Sequence, residues 1–171
     1  MSHRDYVKPE LVKFIDRYAL LNGKGKKVLE IGPGDDIEFK NYWESLGYEY
    51  MSVDCNSKYE SKYCKRGNME NLPFSNNEFD IVFSCHSFEH TEAPTQALKE
   101  MRRVSKKYVI VFTPYPCEHQ ILKADIDHIN VLSDMQIERL FRWCNITKIN
   151  IYYDKKQELE QDWNVCAFGE K

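Results

Sequence analysis

Apolar residues recur along this chain with two periods. In residues 5–21, Val7, Leu11, Phe14, Ile15 and Tyr18 fall at helical spacing, while Lys8, Glu10, Lys13, Asp16 and Arg17 lie elsewhere on the wheel. Pro9 fits only a first turn, so the helix begins near Lys8, and Asn22-Gly23-Lys24-Gly25 ends it. Val28, Leu29 and Ile31 then form the apolar run of a buried parallel strand. A helix follows over about 37–46 and a second strand over 48–54. Further strands are expected at 59–64, 79–84 and 108–112, with a helix over 92–104 between the last two and Lys106-Lys107 breaking away after it. Ser133-Asp134-Met135-Gln136 has capping-box spacing and opens a helix running to about Trp143. Two final strands, 146–153 and 162–168, include the alternation of a paired antiparallel strand. Strands alternating with helices predict an α/β protein with a doubly wound, mostly parallel sheet and helices on both faces.

Composition narrows the class without naming a function. The 171 residues suffice for one domain with a proper core, read as an N-terminal helix in 1–22 and a core in 27–169. Hydrophobic content of 42% and charged content of 30% are those of a soluble globular protein. A net charge of −3 argues against a dedicated nucleic-acid binder. No apolar run approaches membrane-spanning length and no signal peptide opens the chain, so no membrane association is expected and the cytoplasm is the default compartment. Six scattered cysteines without a C-x-x-C pair read as reduced thiols. Nothing in the sequence fixes the oligomeric state.

The candidate chemistry begins where the first strand ends. Gly32 and Gly34 let the chain turn sharply and approach a ligand, and the next helix aims free N–H groups back at it. A dinucleotide fingerprint would need a third glycine where Ile37 stands, which counts against a nicotinamide-dependent oxidoreductase. Asp54 closes the second strand about twenty residues past the turn, where an acid can accept hydrogen bonds from both hydroxyls of a ribose.

The E-x-G-x-G stretch, with Glu30 at the strand end, resembles motif I of the class I S-adenosylmethionine-dependent methyltransferases. Gly67-Asn68-Met69-Glu70-Asn71-Leu72-Pro73-Phe74 is similar to the G-D-x-x-x-L-P-F of small-molecule members, and Phe79-Asp80-Ile81-Val82 to their F-D-x-V. The loop after that strand ends in Glu89-His90, as it often does in the family. The resemblance spans about 27–169. It implies a seven-stranded sheet with a C-terminal antiparallel hairpin, S-adenosylmethionine as cofactor, and an N-terminal helix that covers a sheet face or forms a lid. It implies that the glycines make room for the cofactor's amino-acid part, that Asn68 meets the adenine amine, and that Met69 packs on the ring. The cofactor set is thus Glu30, Gly32, Gly34, Asp54, Asn68, Met69 and Ser84. The expected activity is methyl transfer to a hydroxyl or amine of a small polar acceptor. The departures at Asp36, where the family often has a glycine, and Asn68, where it often has an acid, leave an inactive cofactor-binding or scaffold protein as the alternative.

Four histidines are candidates for proton transfer. His86 and His90 belong at the carboxyl end of the fourth strand, and His119 and His128 in the polar stretch past the fifth; a neutral imidazole accepts a proton near pH 7. His86-Ser87-Phe88-Glu89-His90 also fits the inverted zinc-peptidase pattern H-x-x-E-H, but it follows a strand directly rather than lying within a helix. Cys117, His119, Asp127 and His128 match no metal-ligand scheme by spacing, and no metal is expected. Thr113-Pro114-Tyr115-Pro116 follows the fifth strand, whereas the D-P-P-Y of base methyltransferases follows the fourth.

Overall fold

A computed structural model describes residues 8–35, 38–114, 127–155 and 163–171, with the side chains of 8–10, 153–155 and 163–164 left aside. Its strands are β1 (Lys27–Ile31), β2 (Glu49–Asp54), β3 (Cys64–Arg66), β4 (Phe79–Cys85), β5 (Ser105–Pro114), β6 (Thr147–Lys155) and β7 (Trp163–Glu170). The helices are α1 (Lys8–Arg17), α2 (Glu38–Ser45), α3 (Pro94–Val104) and α4 (Asp134–Trp143).

The strands form one seven-stranded sheet in the order β3-β2-β1-β4-β5-β7-β6. β1 pairs in parallel with β2 and β4, and β4 with β5; β7 runs antiparallel to both β5 and β6. The winding direction reverses between β1 and β4, so the crevice beyond their carboxyl ends is the switch point where such sheets hold ligands.

Alternation along each central strand divides the core in two. Val28, Ile81, Phe83, Ile110 and Phe112 face a cluster completed by Leu11, Phe14 and Ile15 of α1 and Phe39 and Trp43 of α2. Leu29, Ile31, Val82, Val109 and Val111 face Ala97, Leu98 and Met101 of α3 and Ile137 and Phe141 of α4. On the first face the Phe14 ring stacks on Phe168 of β7 with centroids 4.4 Å apart. The capping box of α4 forms as expected, with Ser133 Oγ accepting from the Gln136 N–H and the Gln136 side chain accepting from the Ser133 N–H.

Three boundaries differ from the sequence expectation. β3 is displaced to Cys64–Arg66 because residues 57–59 make a single helical turn, capped by Asn56 Oδ1 accepting from the Lys58 N–H. α3 starts at Pro94 rather than 92, as proline suits a first helical turn. Lys106 and Lys107 do not break away but lie within β5, exposed, at the irregular register beside Phe79. Ser105 makes that bend possible: its Oγ accepts from the Lys107 N–H and donates to the Tyr108 carbonyl.

Candidate active site at the switch point

A cleft of about 810 Å³ opens over the carboxyl ends of β1, β2 and β4. Its wall is laid down by the turn after β1, the end of β2, the loop after β3 and the loop after β4. Each loop is held by specific bonds.

The β1 turn is fixed from both sides. Asp54 Oδ2 accepts from the Gly34 N–H at 3.2 Å, while Oδ1 accepts from the Asn56 N–H at 2.8 Å. On the other side Ser87 Oγ donates to the Ile31 carbonyl at 2.8 Å. Ser87 has one hydroxyl proton, so in the 2.7 Å contact between Ser84 Oγ and Ser87 Oγ, Ser84 is the donor. Both glycines have positive φ, 69° at Gly32 and 61° at Gly34, yet their surroundings differ. A Cβ on Gly32 would lie 2.5 Å from Ser87 Cβ, whereas one on Gly34 would meet nothing within 4 Å. Gly32 is therefore required by the loop packed on it, and Gly34 leaves space in the cleft.

The loop after β3 carries Asn68 and Met69 into the wall, and its far end is anchored in the core by Leu72 and Phe74. Asn68 Oδ1 accepts from the Glu70 N–H at 2.9 Å, closing an Asx turn. Behind the loop stands an ion pair, with Arg103 Nε 2.6 Å and Nη2 2.7 Å from the two oxygens of Glu100. Glu100 Oε2 accepts from the Leu72 N–H, and Arg103 donates to the carbonyls of Leu72 and Phe74. The guanidinium bonds hold the Glu100 carboxyl below its usual range, against the opposing pull of burial.

The loop after β4 carries the candidate bases His86 and His90 into the wall. His86 has φ 49°, an uncommon conformation for a side-chain-bearing residue, with its N–H donated to the Phe112 carbonyl at 3.0 Å. Its Nδ1 lies 3.6 Å from Oε1 of Glu89, a carboxylate only 1% exposed. His90 is exposed on a single helical turn over Phe88–His90, and its Nδ1 is 2.9 Å from the Asp127 carbonyl. Thr91 Oγ1 donates to Glu70 Oε1 at 2.6 Å and joins this loop to the previous one.

The structure thus brings Gly32, Gly34, Asp54, Asn68, Met69, His86 and His90 to one cleft. Glu30 and Ser84 lie behind its lining, both fully buried. Glu30 Oε2 accepts from the Tyr50 hydroxyl at 2.5 Å, and Ser84 supports Ser87. His128 sits beside His90, ring centroids 5.0 Å apart. Asp36, Ile37, Cys117 and His119 lie outside the described residues. Ser87, Tyr59, Glu70 and Thr91 line the cleft without having been singled out from sequence, and Asp127, weighed from sequence only as a metal ligand, lines it too. Only Glu70 and Thr91 had a local cue, a polar pair flanking motif positions; the others are recognisable only once the loops converge.

Among known proteins, the family described as "Methyltransferase domain" matches residues 29–113, which supply all of the cleft's lining but Asp127. No curated protein matches the sequence. Solved structures do. A SAM-dependent methyltransferase from Archaeoglobus fulgidus superposes with a TM-score of 0.74 at 18% identity, covering 95% of this chain and 94% of that one. An S-adenosylmethionine-dependent methyltransferase from Mesorhizobium loti gives 0.72 at 11%, covering 97% and 98%. A chain from the complex of the Haloferax volcanii Trm112 methyltransferase activator with a methyltransferase gives 0.69 at 14%, covering 96% and 95%. With the matched domain, the sheet order and the cleft at its switch point, the chain takes its place among the class I S-adenosylmethionine-dependent methyltransferases.

Proposed function

We propose that the enzyme transfers a methyl group to a hydroxyl or amine of a small polar acceptor. The cleft carries this reading: it joins an acid at the end of β2, an open glycine turn and two histidines in one space. Its volume of about 810 Å³ lies within the range of small-molecule sites. The residues suit S-adenosylmethionine. The room over Gly34 would take the amino-acid part, and Asp54 retains lone pairs for ribose hydroxyls after accepting two backbone N–H groups. The carbonyl of Asn68 likewise has a second lone pair for an adenine amine, with Met69 beside it. When bound, the cofactor supplies a methyl carbon already activated by a sulfonium leaving group.

What remains for the protein is alignment and proton removal. His86 or His90 would take the acceptor's proton. The strained backbone at His86 and its bond to Phe112 fix that ring's origin on the loop, and Glu89 lies where it can stabilise the imidazolium. Five cysteines are free among the described residues, and no described helix is long and apolar enough to cross a membrane; both features fit a cytoplasmic enzyme.

Calorimetric titration with S-adenosylmethionine, S-adenosylhomocysteine and NAD tests the cofactor assignment. Micromolar binding of the first two, lost in Asp54→Ala with the fold retained, is the expected result. Binding of NAD alone, or no heat from any ligand with folded wild type, would overturn it. Once an acceptor is found, His86→Gln or His90→Gln is expected to lower kcat by about 10²–10⁴-fold for the residue serving as base.

A further inference from the structure

We propose that Glu89, His90 and His128 form a divalent-cation site at the rim of the cleft. One ligand atom from each residue falls within 4.8 Å of the others. Zinc bound at about 2.0–2.2 Å in a tetrahedron would hold its ligand atoms roughly 3.3–3.6 Å apart. The three ligand atoms therefore need to draw together by at most about 1.5 Å to reach that spacing. The set is two imidazoles and a carboxylate, which suits zinc, iron(II), cobalt or manganese rather than calcium or magnesium.

Three independent features point the same way. Glu89 is 1% exposed, and among the described residues its side-chain polar contacts are long: Thr113 Oγ1 at 3.4 Å and His86 Nδ1 at 3.6 Å. Among the described residues no lysine or arginine pairs with it, and a buried carboxylate calls for a positive partner. His128 Nδ1 is buried without a hydrogen-bond partner among the described residues. His90 is oriented for ligation: donating Nδ1–H to the Asp127 carbonyl leaves the Nε2 lone pair free, the arrangement that fixes the tautomer of metal-bound histidines.

The backbone also builds the site. The Asn130 N–H donates to the Glu89 carbonyl at 2.9 Å, and the Asn130 side chain donates to the Thr91 carbonyl. With the His90–Asp127 bond, these contacts stitch 127–130 to 89–91 and set His128 against His90. Sequence spacing does not reveal this, because residues 90 and 128 meet only through the fold.

Three protein ligands leave positions open, as in catalytic rather than structural zinc sites. Resting on the methyl-transfer reading, the cation would coordinate the acceptor's oxygen and lower its pKa, which selects a hydroxyl over an amine. His90 then serves as ligand, and His86 is left to take the proton.

The test is titration of chelator-treated protein with zinc chloride by calorimetry, alongside cobalt(II) followed by absorption. Wild type is expected to bind one equivalent, weakened at least 50-fold in His128→Ala and in Glu89→Gln. Cobalt spectra should lack thiolate charge transfer. Since Glu89 is buried and its variant can misfold, His128→Ala carries the decision. His128 does not line the cofactor cleft, so S-adenosylhomocysteine should still bind that variant within about threefold of wild type. Zinc affinity equal in wild type and His128→Ala, or a thiolate band with cobalt, would overturn the site. Lost metal with retained S-adenosylhomocysteine supports it, and absent S-adenosylhomocysteine binding with metal intact would overturn only the cofactor reading.

Discussion

Alanine at Gly32 and alanine at Gly34 should fail in different ways, although the residues are two apart and share a left-handed backbone. At Gly32 two penalties combine. Holding alanine at φ 69° costs about 1–2 kcal/mol. The new methyl would lie 2.5 Å from Ser87 Cβ and 2.8 Å from its Oγ, and overpacking of this kind costs about 1–3 kcal/mol more. For a chain of 171 residues the sum of about 2–5 kcal/mol lowers Tm by roughly 5–15 °C. At Gly34 the conformational penalty remains but the methyl meets nothing within 4 Å, so the melting temperature should fall by only about 2–6 °C. That methyl instead occupies the cleft, and S-adenosylhomocysteine affinity should drop at least tenfold. Calorimetric melting and titration of both variants measure these effects. A double-mutant cycle isolates the clash. Ser87→Gly removes the obstructing Cβ, so Gly32→Ala combined with Ser87→Gly should recover about 1–3 kcal/mol relative to additivity. Strict additivity, or Gly34→Ala melting as low as Gly32→Ala, would refute the assignment of one glycine to packing and the other to the ligand.

Other perturbations probe the framework behind the site. Glu100→Gln should destabilise by about 1–3 kcal/mol at pH 7, since Glu100 is mostly buried while Arg103 is partly screened by solvent. The folded-state carboxyl is held below its ordinary value of 4.5, so its contribution is present above that pH and disappears as pH falls through the folded value. Melting temperatures of wild type and variant should therefore differ above pH 4.5 and draw together only as the pH falls below it, through the folded value. Tyr50→Phe removes the hydroxyl donated to the buried Glu30 and should cost about 1.5–3 kcal/mol in urea denaturation; no change would show that the bond contributes nothing net. Phe14→Ala takes away the ring stacked on Phe168 and should cost about 3–5 kcal/mol, leaving S-adenosylhomocysteine affinity nearly unchanged because Phe14 is outside the cleft.

The sheet was legible because its evidence is local. Runs such as Val28-Leu29-Glu30-Ile31 and Phe79-Asp80-Ile81-Val82 carry their own strand signature, and Ser133 and Gln136 mark a helix start within four residues. Gly32, Gly34 and Asp54 were legible for the same reason, as they sit at strand ends whose place in a doubly wound sheet is fixed. Lys106 and Lys107 misled because two adjacent charges suggest a loop, whereas the strand accommodates them where it is exposed and irregular. The functions of Glu30 and Ser84 turn on side-chain direction. A buried strand shows the same residues to either face, and only the tertiary partners Tyr50 and Ser87 reveal that both stand behind the cleft. His128 was visible as a candidate base, but its nearness to Glu89 and His90 depends on Asn130 bonding across 39 residues.

The same pairing logic orders the β1 turn, where the cofactor is proposed to sit. The β1 turn has two left-handed residues and would cost conformational entropy to order on binding. Here that order is imposed beforehand by neighbours on either side. Asp54 reaches in from β2, and Ser87 reaches in from the loop after β4. Ser84 fixes Ser87 in turn, so the hydroxyl chain runs from a fully buried strand position to the edge of the cleft. A site assembled in this way loses little on ligand ordering, and its binding energy goes to contacts rather than to folding the loop. Ser84 should therefore affect ligand affinity without lining the cleft, and S-adenosylhomocysteine titration of Ser84→Ala measures that effect. Replacing it with alanine frees the Ser87 hydroxyl from its donor but leaves the bond to Ile31, so the turn loosens while the cleft keeps every group that lines it.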